Sequence, residues 1–288
     1  MSFDRATNDK IRANQANWDS RTPIHVASRF YGVNDPTRRP EDWFSPFEWE
    51  DLGQLAGRDL IHLQCHLGTE TVAFARKGAR TVGLDFSGQS ILAANRIAHQ
   101  EGVEVEYVQA DVYDAASVLA DRQFDVVYTG KGALCYLPDL QRWSAVINDL
   151  LRPGGQVYIV EFHPVLQSLS PKPKPWDGPE LLLRRDYLEG RGAIERDGTC
   201  TYTDGPALQG ATRAYEWSHG LGEVVTALAN AGLTITRLRE TDLLPWPRWE
   251  RMVRDESGWW RLPPTDPRIP LLYGLAATKQ SALCAVQS

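Results

Sequence analysis

The residues best placed for chemistry lie in a short polar loop, residues 62–70, between an apolar run and a helical pattern. The loop reads His-Leu-Gln-Cys-His-Leu-Gly-Thr-Glu. In an open parallel sheet, ligands bind beyond the carboxyl ends of the strands, so we expect this loop to contact one. It contains one glycine, Gly68. A dinucleotide fingerprint needs several glycines where the pyrophosphate meets the helix, so a bound dinucleotide is disfavoured.

Two acidic residues follow the next two apolar runs. Asp85 comes 17 residues after Gly68, where a carboxylate can accept hydrogen bonds from both hydroxyls of an adenosine ribose. Asp111 ends the third run, where a carboxylate can receive the adenine amino group. The other candidate contacts of the same ligand adjoin these acids or belong to the loop: Gln64, Cys65, His66, Phe86, Ser87 and Val112.

The elements that must position these residues alternate along the chain from residue 58. We predict strands at residues 60–64, 81–85, 103–108, 124–128, 156–162, 233–238 and 271–278. We predict helices at residues 69–78, 87–102, 140–151 and 221–231. Apolar strands alternating with helices indicate a parallel sheet covered on both faces, and right-handed crossovers make it doubly wound. The fold class is therefore α/β.

The alternation divides the chain into four expected segments. They are an N-terminal extension at 1–57 with a helix near residues 9–19, a ligand-binding core at 58–163, an inserted segment at 164–216, and the C-terminal part of the core at 217–288. The insert opens with a Pro/Lys-rich linker at 171–175 and then favours an antiparallel hairpin or meander. Nine of the ten tryptophans lie outside the core. They either attach the extensions, including the Trp-rich loop 245–267, or line an acceptor pocket.

Composition restricts the partners of the protein. The formal net charge of −6 disfavours nucleic acid. We expect Arg184, Arg185, Arg248 and Arg251 to be solvated loop residues, with a local basic patch as the alternative. The polar N-terminus does not resemble a secretory signal, and no apolar run is long enough for a membrane span. Four scattered cysteines fit reduced thiols in the cytoplasm. No metal-ligand spacing is visible, so we expect no metal.

The loop at residues 62–70 and four further motifs together resemble those of the class I methyltransferases that use S-adenosylmethionine (SAM). These motifs lie at residues 82–87, 109–112, 124–128 and 150–155. The strings at 66–71 and 161–164 look like the subset that acts on small molecules and natural products. The resemblance implies SAM as cofactor. It also implies a seven-stranded sheet of order 3-2-1-4-5-7-6 with the last strand antiparallel.

The cofactor loop departs from the family pattern, which resembles D-x-G-x-G-x-G. Here His62 stands at the acid, and Gln64 and His66 stand at the first two glycines. A side chain at such positions restricts the backbone. Either the loop still holds SAM, with Gln64 or His66 contacting the methionine part, or the site has lost its cofactor. Retention of Asp85 and Asp111 favours the first interpretation.

Methyl transfer needs a nucleophile held in line with the sulfur–methyl bond. The resemblance implies that Thr129 and Gly130 pass beneath the transferred methyl, and we expect Lys131 to be solvated. His163 and His219 are candidate bases, with a capping or hydrogen-bonding role as the alternative for each. If His163 is the base, its replacement by alanine lowers turnover about tenfold or more.

We expect the N-terminal extension to act as a lid through Trp18, His25 and Tyr31, with an inert packed flap as the alternative. The favoured function is methyl transfer to oxygen or nitrogen of a small organic acceptor. Two alternatives stay open: methylation of a protein, and a SAM- or adenosyl-binding module without transfer. The sequence does not determine the acceptor, nor whether the protein forms a homo-oligomer.

Overall fold

A computed structural model describes residues 3–120, 122–169 and 180–281 of the chain. The helices are α1 (Arg5–Ala27), α2 (Pro46–Leu52), α3 (Thr69–Arg76), α4 (Gly88–Gln100), α5 (Ala115–Val118), α6 (Leu140–Leu150), α7 (Pro164–Ser168) and α8 (Leu221–Asn230). The strands are β1 (Asp59–Leu63), β2 (Arg80–Asp85), β3 (Val105–Gln109), β4 (Phe124–Thr129), β5 (Leu151–Phe162), β6 (Ile194–Asp197), β7 (Arg213–Glu216), β8 (Leu233–Thr241), β9 (Val253–Arg254), β10 (Trp260–Arg261) and β11 (Leu272–Lys279). The predicted linker at 171–175 and Cys284 lie outside the described residues.

The main sheet has seven strands in the order β3-β2-β1-β4-β5-β11-β8. The first five strands pair in parallel, and β11 runs antiparallel to both β5 and β8. Leu63 at the end of β1 lies opposite Leu84 in β2 and Thr129 in β4. The loops after these strands therefore open at one edge. The predicted α/β fold and strand order are confirmed.

The sheet is buried on both faces because alternate residues of each strand point to opposite sides. Ile61 and Val127 pack in one core with α6 and α8. Leu60 and Val126 pack in the other core, which contains α3 and the aromatic residues of the N-terminal extension. Continuous apolar strands are typical of parallel sheets covered in this way. The two cores fix the sheet edge that carries the polar loops.

Helix α1 is longer than the helix predicted near residues 9–19. The prediction was too short because most buried residues of α1 are polar rather than apolar. Asn14 is buried and exchanges hydrogen bonds with the backbone of Tyr215 in β7, at 2.9 and 2.6 Å. The helix even continues through Pro23. Hydrophobic periodicity alone does not detect a helix attached by hydrogen bonds. None of the described helices is long and apolar enough to cross a bilayer.

The inserted segment contains the antiparallel pair β6–β7, as predicted. The Trp-rich loop is attached to the main domain by its own apolar cluster, in which Trp249 and Trp259 pack with Leu166 and Leu271. Three predicted strand bounds were wrong by two residues or more. β3 begins at Val105 rather than residue 103, β5 begins at Leu151 rather than residue 156, and β8 ends at Thr241 rather than residue 238. These ends lie at loop junctions, where backbone pairing rather than apolar pattern decides the boundary.

Candidate functional site

A cavity of about 870 Å³ lies at the carboxyl edge of the sheet. Its volume is in the upper part of the roughly 300–1,000 Å³ range of small-molecule sites. Most of the predicted ligand contacts line it: Gln64, Cys65, His66, Asp85, Phe86, Asp111, Val112 and Gly130. The structure thus brings together residues that are far apart in sequence.

Three predicted contacts lie just behind the cavity wall. Gly68 adopts φ +69° and begins α3, and a Cβ atom there would collide with the ring of Tyr107. Ser87 is fully buried and caps α4 by accepting a hydrogen bond from the Ser90 amide. Thr129 is fully buried at the end of β4. These residues shape the loops rather than face the cavity.

The loop after β1 retains left-handed backbone at all three family glycine positions. Gln64 has φ +56° and His66 has φ +46°, beside +69° at Gly68. Side chains rarely accept this conformation without compensation. Gln64 Nε2 donates to the Ala133 carbonyl at 3.1 Å, and His66 Nδ1 lies 3.0 Å from Ser90 Oγ. The loop therefore has the expected shape although two glycines are missing.

The two acids after β2 and β3 are buried and bound to backbone amides. Asp85 accepts hydrogen bonds from the amides of His66 and Ser87, each at 2.9 Å. Burial raises the pKa of Asp85 to about 6. Asp111 accepts a hydrogen bond from the Tyr113 amide at 3.0 Å, and burial raises its pKa as well. Each carboxylate retains lone pairs that a ligand hydroxyl or amine can use.

Helix α1 lies across this part of the cavity. Its Asp19 carboxylate accepts hydrogen bonds from the Ser87 hydroxyl at 2.6 Å and the Gln89 amide at 3.1 Å. Gln15 Nε2 donates to the Phe86 carbonyl at 2.7 Å. Trp18 lines the cavity and meets the His66 ring edge-to-face at 4.8 Å between centroids. The helix therefore contacts both predicted ligand loops.

A chain of hydrogen bonds joins the extension to the cofactor loop. His25 Nδ1 lies 2.8 Å from His66 Nε2, and His25 Nε2 lies 2.7 Å from Thr201 Oγ1. Burial lowers the pKa of His25 to about 3 and that of His66 well below its usual value. Both rings are therefore neutral near pH 7. Of the predicted lid residues, Trp18 and Tyr31 line the cavity, and His25 supports them from behind.

Lys131 is not solvated, contrary to the sequence-based expectation. Its side chain is 7% exposed, and its Nζ lies 3.0 Å from the Glu48 carboxylate, which is 0% exposed. Nζ also donates to the Trp43 carbonyl at 3.2 Å. Sequence reasoning missed the pair because Glu48 lies in the N-terminal extension, far from Lys131 along the chain. Buried charges need partners, so this pair fixes the extension against the loop after β4.

Glu161 holds the same loop from the other side, and sequence reasoning missed it too. Its buried carboxylate accepts hydrogen bonds from the amides of Gly132, Ala133 and Leu134 at 2.5, 2.9 and 3.0 Å. Burial raises the pKa of Glu161, while the amide donors act in the opposite direction. The only sequence signal was its position at the end of an apolar strand. The loop beneath the cavity is therefore rigid.

The two candidate bases do not line the cavity. His163 caps α7, where Nδ1 accepts a hydrogen bond from the Val165 amide at 3.1 Å, and Nε2 lies 2.8 Å from Glu240. Burial lowers the pKa of His163 despite that carboxylate. His219 places Nδ1 2.8 Å from Glu223 and Nε2 2.8 Å from the Leu137 carbonyl. The nitrogens of both rings thus face other protein groups rather than the cavity.

Comparison with known proteins agrees with this architecture. A family described as a methyltransferase domain matches residues 61–157. The ubiquinone biosynthesis O-methyltransferases of Salmonella newport and Salmonella arizonae are each 32% identical over 166 residues. The match covers 55% of this chain and 65% of each relative, so the chain spans less than two thirds of their length.

Solved structures share the fold of this chain. An S-adenosylmethionine-dependent methyltransferase from Mesorhizobium loti has a TM-score of 0.56 at 20% identity, covering 86% of this chain and 100% of its own. A putative one from Listeria monocytogenes has a TM-score of 0.57 at 17% identity, covering 81% and 98%. The DhpI–SAH complex has a TM-score of 0.56 at 17% identity, covering 95% and 98%. The predicted resemblance to class I SAM-dependent methyltransferases is confirmed.

Proposed function

We propose that this chain is a SAM-dependent methyltransferase that acts on oxygen or nitrogen of a small organic acceptor. The observation that carries the proposal is one continuous cavity. It extends from the buried acids Asp85 and Asp111 to the loop after β4. At about 870 Å³ it offers room for an adenosyl group together with a second small molecule. Free Cys65, Cys135 and Cys200 support a cytoplasmic location.

We assign the adenosine to the end of the cavity beside β2 and β3. Asp85 would accept hydrogen bonds from the ribose hydroxyls, and Asp111 would accept one from the adenine amine. The loop after β1 would contact the methionine part through Gln64 or His66. The left-handed backbone of that loop supports cofactor binding, because its shape is that of a glycine-rich loop. When bound, SAM supplies an electrophilic methyl group.

We assign catalysis to positioning and water exclusion. The loop of Gly130 and Gly132 forms the floor beneath the methyl, and the Glu161 carboxylate holds it through backbone amides. Trp18 and Tyr31 of the extension cover the cavity. Holding reactants in line can supply roughly 7–11 kcal/mol in favourable cases. Because the His163 and His219 nitrogens face other groups, we assign these two histidines to structural roles.

A transfer assay with methyl-labelled SAM tests the activity. The enzyme should label a small acceptor from a panel of phenols, carboxylic acids and amines, and added SAH should inhibit the reaction. Labelling that appears only with protein acceptors would overturn the small-molecule assignment. Cofactor binding without transfer to any acceptor would instead support the adenosyl-binding module.

A further inference from the structure

The two ends of the cavity differ in charge. The strand order places Asp85 and Asp111 beyond β2 and β3, at one side of the sheet. The other end is walled by residues that follow β5 and β8 and by the inserted segment. These residues are Phe162, Leu166, Gln167, Arg185, Glu216, Pro245, Trp246, Pro247 and Arg248. The second end thus contains the guanidinium groups of Arg185 and Arg248, whereas the first contains the carboxylates of Asp85 and Asp111.

Arg248 is a partly buried cation that lacks an ion-pair partner among the described residues. Its Nε and Nη2 atoms are buried and make no hydrogen bond there. Its backbone amide donates a hydrogen bond to Met252 Sδ at 3.3 Å, and its guanidinium carbon lies 5.8 Å from the centroid of the Trp249 ring. Burial lowers the pKa of Arg248. An uncompensated buried charge is costly, so such a group normally meets an anion.

Arg185 lines the same end and adds a second cation. Burial and repulsion from Arg196 and Arg248 lower the pKa of Arg185 to about 10. The carboxylate nearby, Glu216, already accepts a hydrogen bond from Arg196 Nε at 2.9 Å. Arg185 and Arg248 thus line this end together with one carboxylate, Glu216, which Arg196 already engages. The sequence-based expectation of solvated arginines was wrong for Arg185 and Arg248.

Aromatic rings line the same cavity as these cations. Phe162 meets Trp246 edge-to-face at 4.9 Å between centroids, and Phe30 lies 5.4 Å from Trp43. All four rings line the cavity. A ligand that fits here needs an apolar body against the rings and an anionic group for the guanidiniums, which bind carboxylate and phosphate oxygens in pairs.

We propose that Arg248 and Arg185 bind an oxyanion of the acceptor, which is therefore an apolar or aromatic compound carrying a carboxylate or a phosphate-type group. Because it identifies the bound anion as part of the acceptor, this inference rests on the proposed methyltransferase function. The anion site itself does not depend on transfer, so equilibrium binding measures it directly.

Calorimetric titration with three matched probes tests the site: benzoate, phenylphosphonate and neutral benzamide, each added to SAH-saturated protein. Benzoate or phenylphosphonate should bind about tenfold or more tightly than benzamide, and the better anion identifies the group preferred. Arg248→Met and Arg185→Met should each lose most of this preference. Arg254→Met is the matched control, because that exposed arginine lies in the same loop but not at the cavity.

Three outcomes overturn the inference: equal affinity for all probes, a preference that survives in both methionine variants, or its loss in Arg254→Met. Arg248→Lys should retain part of the preference for the anionic probes. Thermal melting of each variant shows that a loss of this preference does not come from unfolding. The affinity for SAH is measured first. If SAH fails to bind, the proposed function falls, and the same probes on unliganded protein still decide the anion site. If SAH binds and no anion is preferred, only the inference falls.

Discussion

The two ends of the cavity are built differently. At the adenosine end, short loops after consecutive strands provide buried acids, and backbone amides already satisfy part of each carboxylate. At the acceptor end, Arg185 and Arg248 come from an insert and a late loop, and Nε and Nη2 of Arg248 make no hydrogen bond among the described residues. Under the proposed function, local motifs bind the cofactor, whereas residues brought together by tertiary structure select the acceptor.

The buried ion pair Lys131–Glu48 holds the N-terminal extension against the core, so its removal should destabilise the fold. Lys131→Met would leave the Glu48 charge without its partner, and the free energy of unfolding should fall by about 3–5 kcal/mol. Urea denaturation measures the change. The double variant Lys131→Met, Glu48→Gln should recover a large part of it. A single variant as stable as the wild type would show that the extension is only loosely attached.

Replacing the non-glycine residues of the cofactor loop separates backbone strain from side-chain bonding. His66→Gly relieves the left-handed strain but removes the bonds to His25 and Ser90, so we expect a net loss of about 1–2 kcal/mol in unfolding free energy. Gln64→Gly relieves similar strain and removes one bond to Ala133, so its stability should stay within about 1 kcal/mol of the wild type. Equal losses in the two variants would contradict a supporting role for the histidine network.

The adenosine end should depend on pH through Asp85. Because burial raises its pKa to about 6, the carboxylate takes up a proton as the pH falls below 6. The folded state then binds this proton more readily than the unfolded chain, so Asp85 makes folding less favourable as pH rises from about 4 to 6. Ribose binding needs the carboxylate, and the SAH affinity should therefore fall about tenfold between pH 7 and pH 5.

Calorimetry at several pH values checks this, with Asp85→Asn as the control. His25 and His62, whose pKa values are lowered by burial to about 3 and about 4, stay neutral throughout this range and should not contribute. The Asn variant should show a flat profile. A pH dependence that persists in it would assign the titration to another group.

The fold and the position of the two acids at the sheet edge could be predicted because their signals are local. Apolar runs marked the strands, and Asp85 and Asp111 ended two of them. The rest depends on tertiary contacts. Lys131 meets an acid 83 positions away, and burial of Arg248 leaves no trace in a charge count. His163 follows β5 as predicted, but its ring nitrogens face Val165 and Glu240 rather than the cavity.

The central claim is that an adenosyl ligand binds at the cavity through Asp85, and SAH calorimetry on wild type and Asp85→Ala tests it most directly. Hydrogen bonds to charged groups contribute about 1.5–3 kcal/mol each, so the variant should bind SAH about 100-fold or more weakly. Asp59→Ala, at the opposite end of the sheet, serves as the control and should keep the wild-type affinity. Absence of SAH binding to the wild type, or an unchanged affinity in Asp85→Ala, would contradict the account.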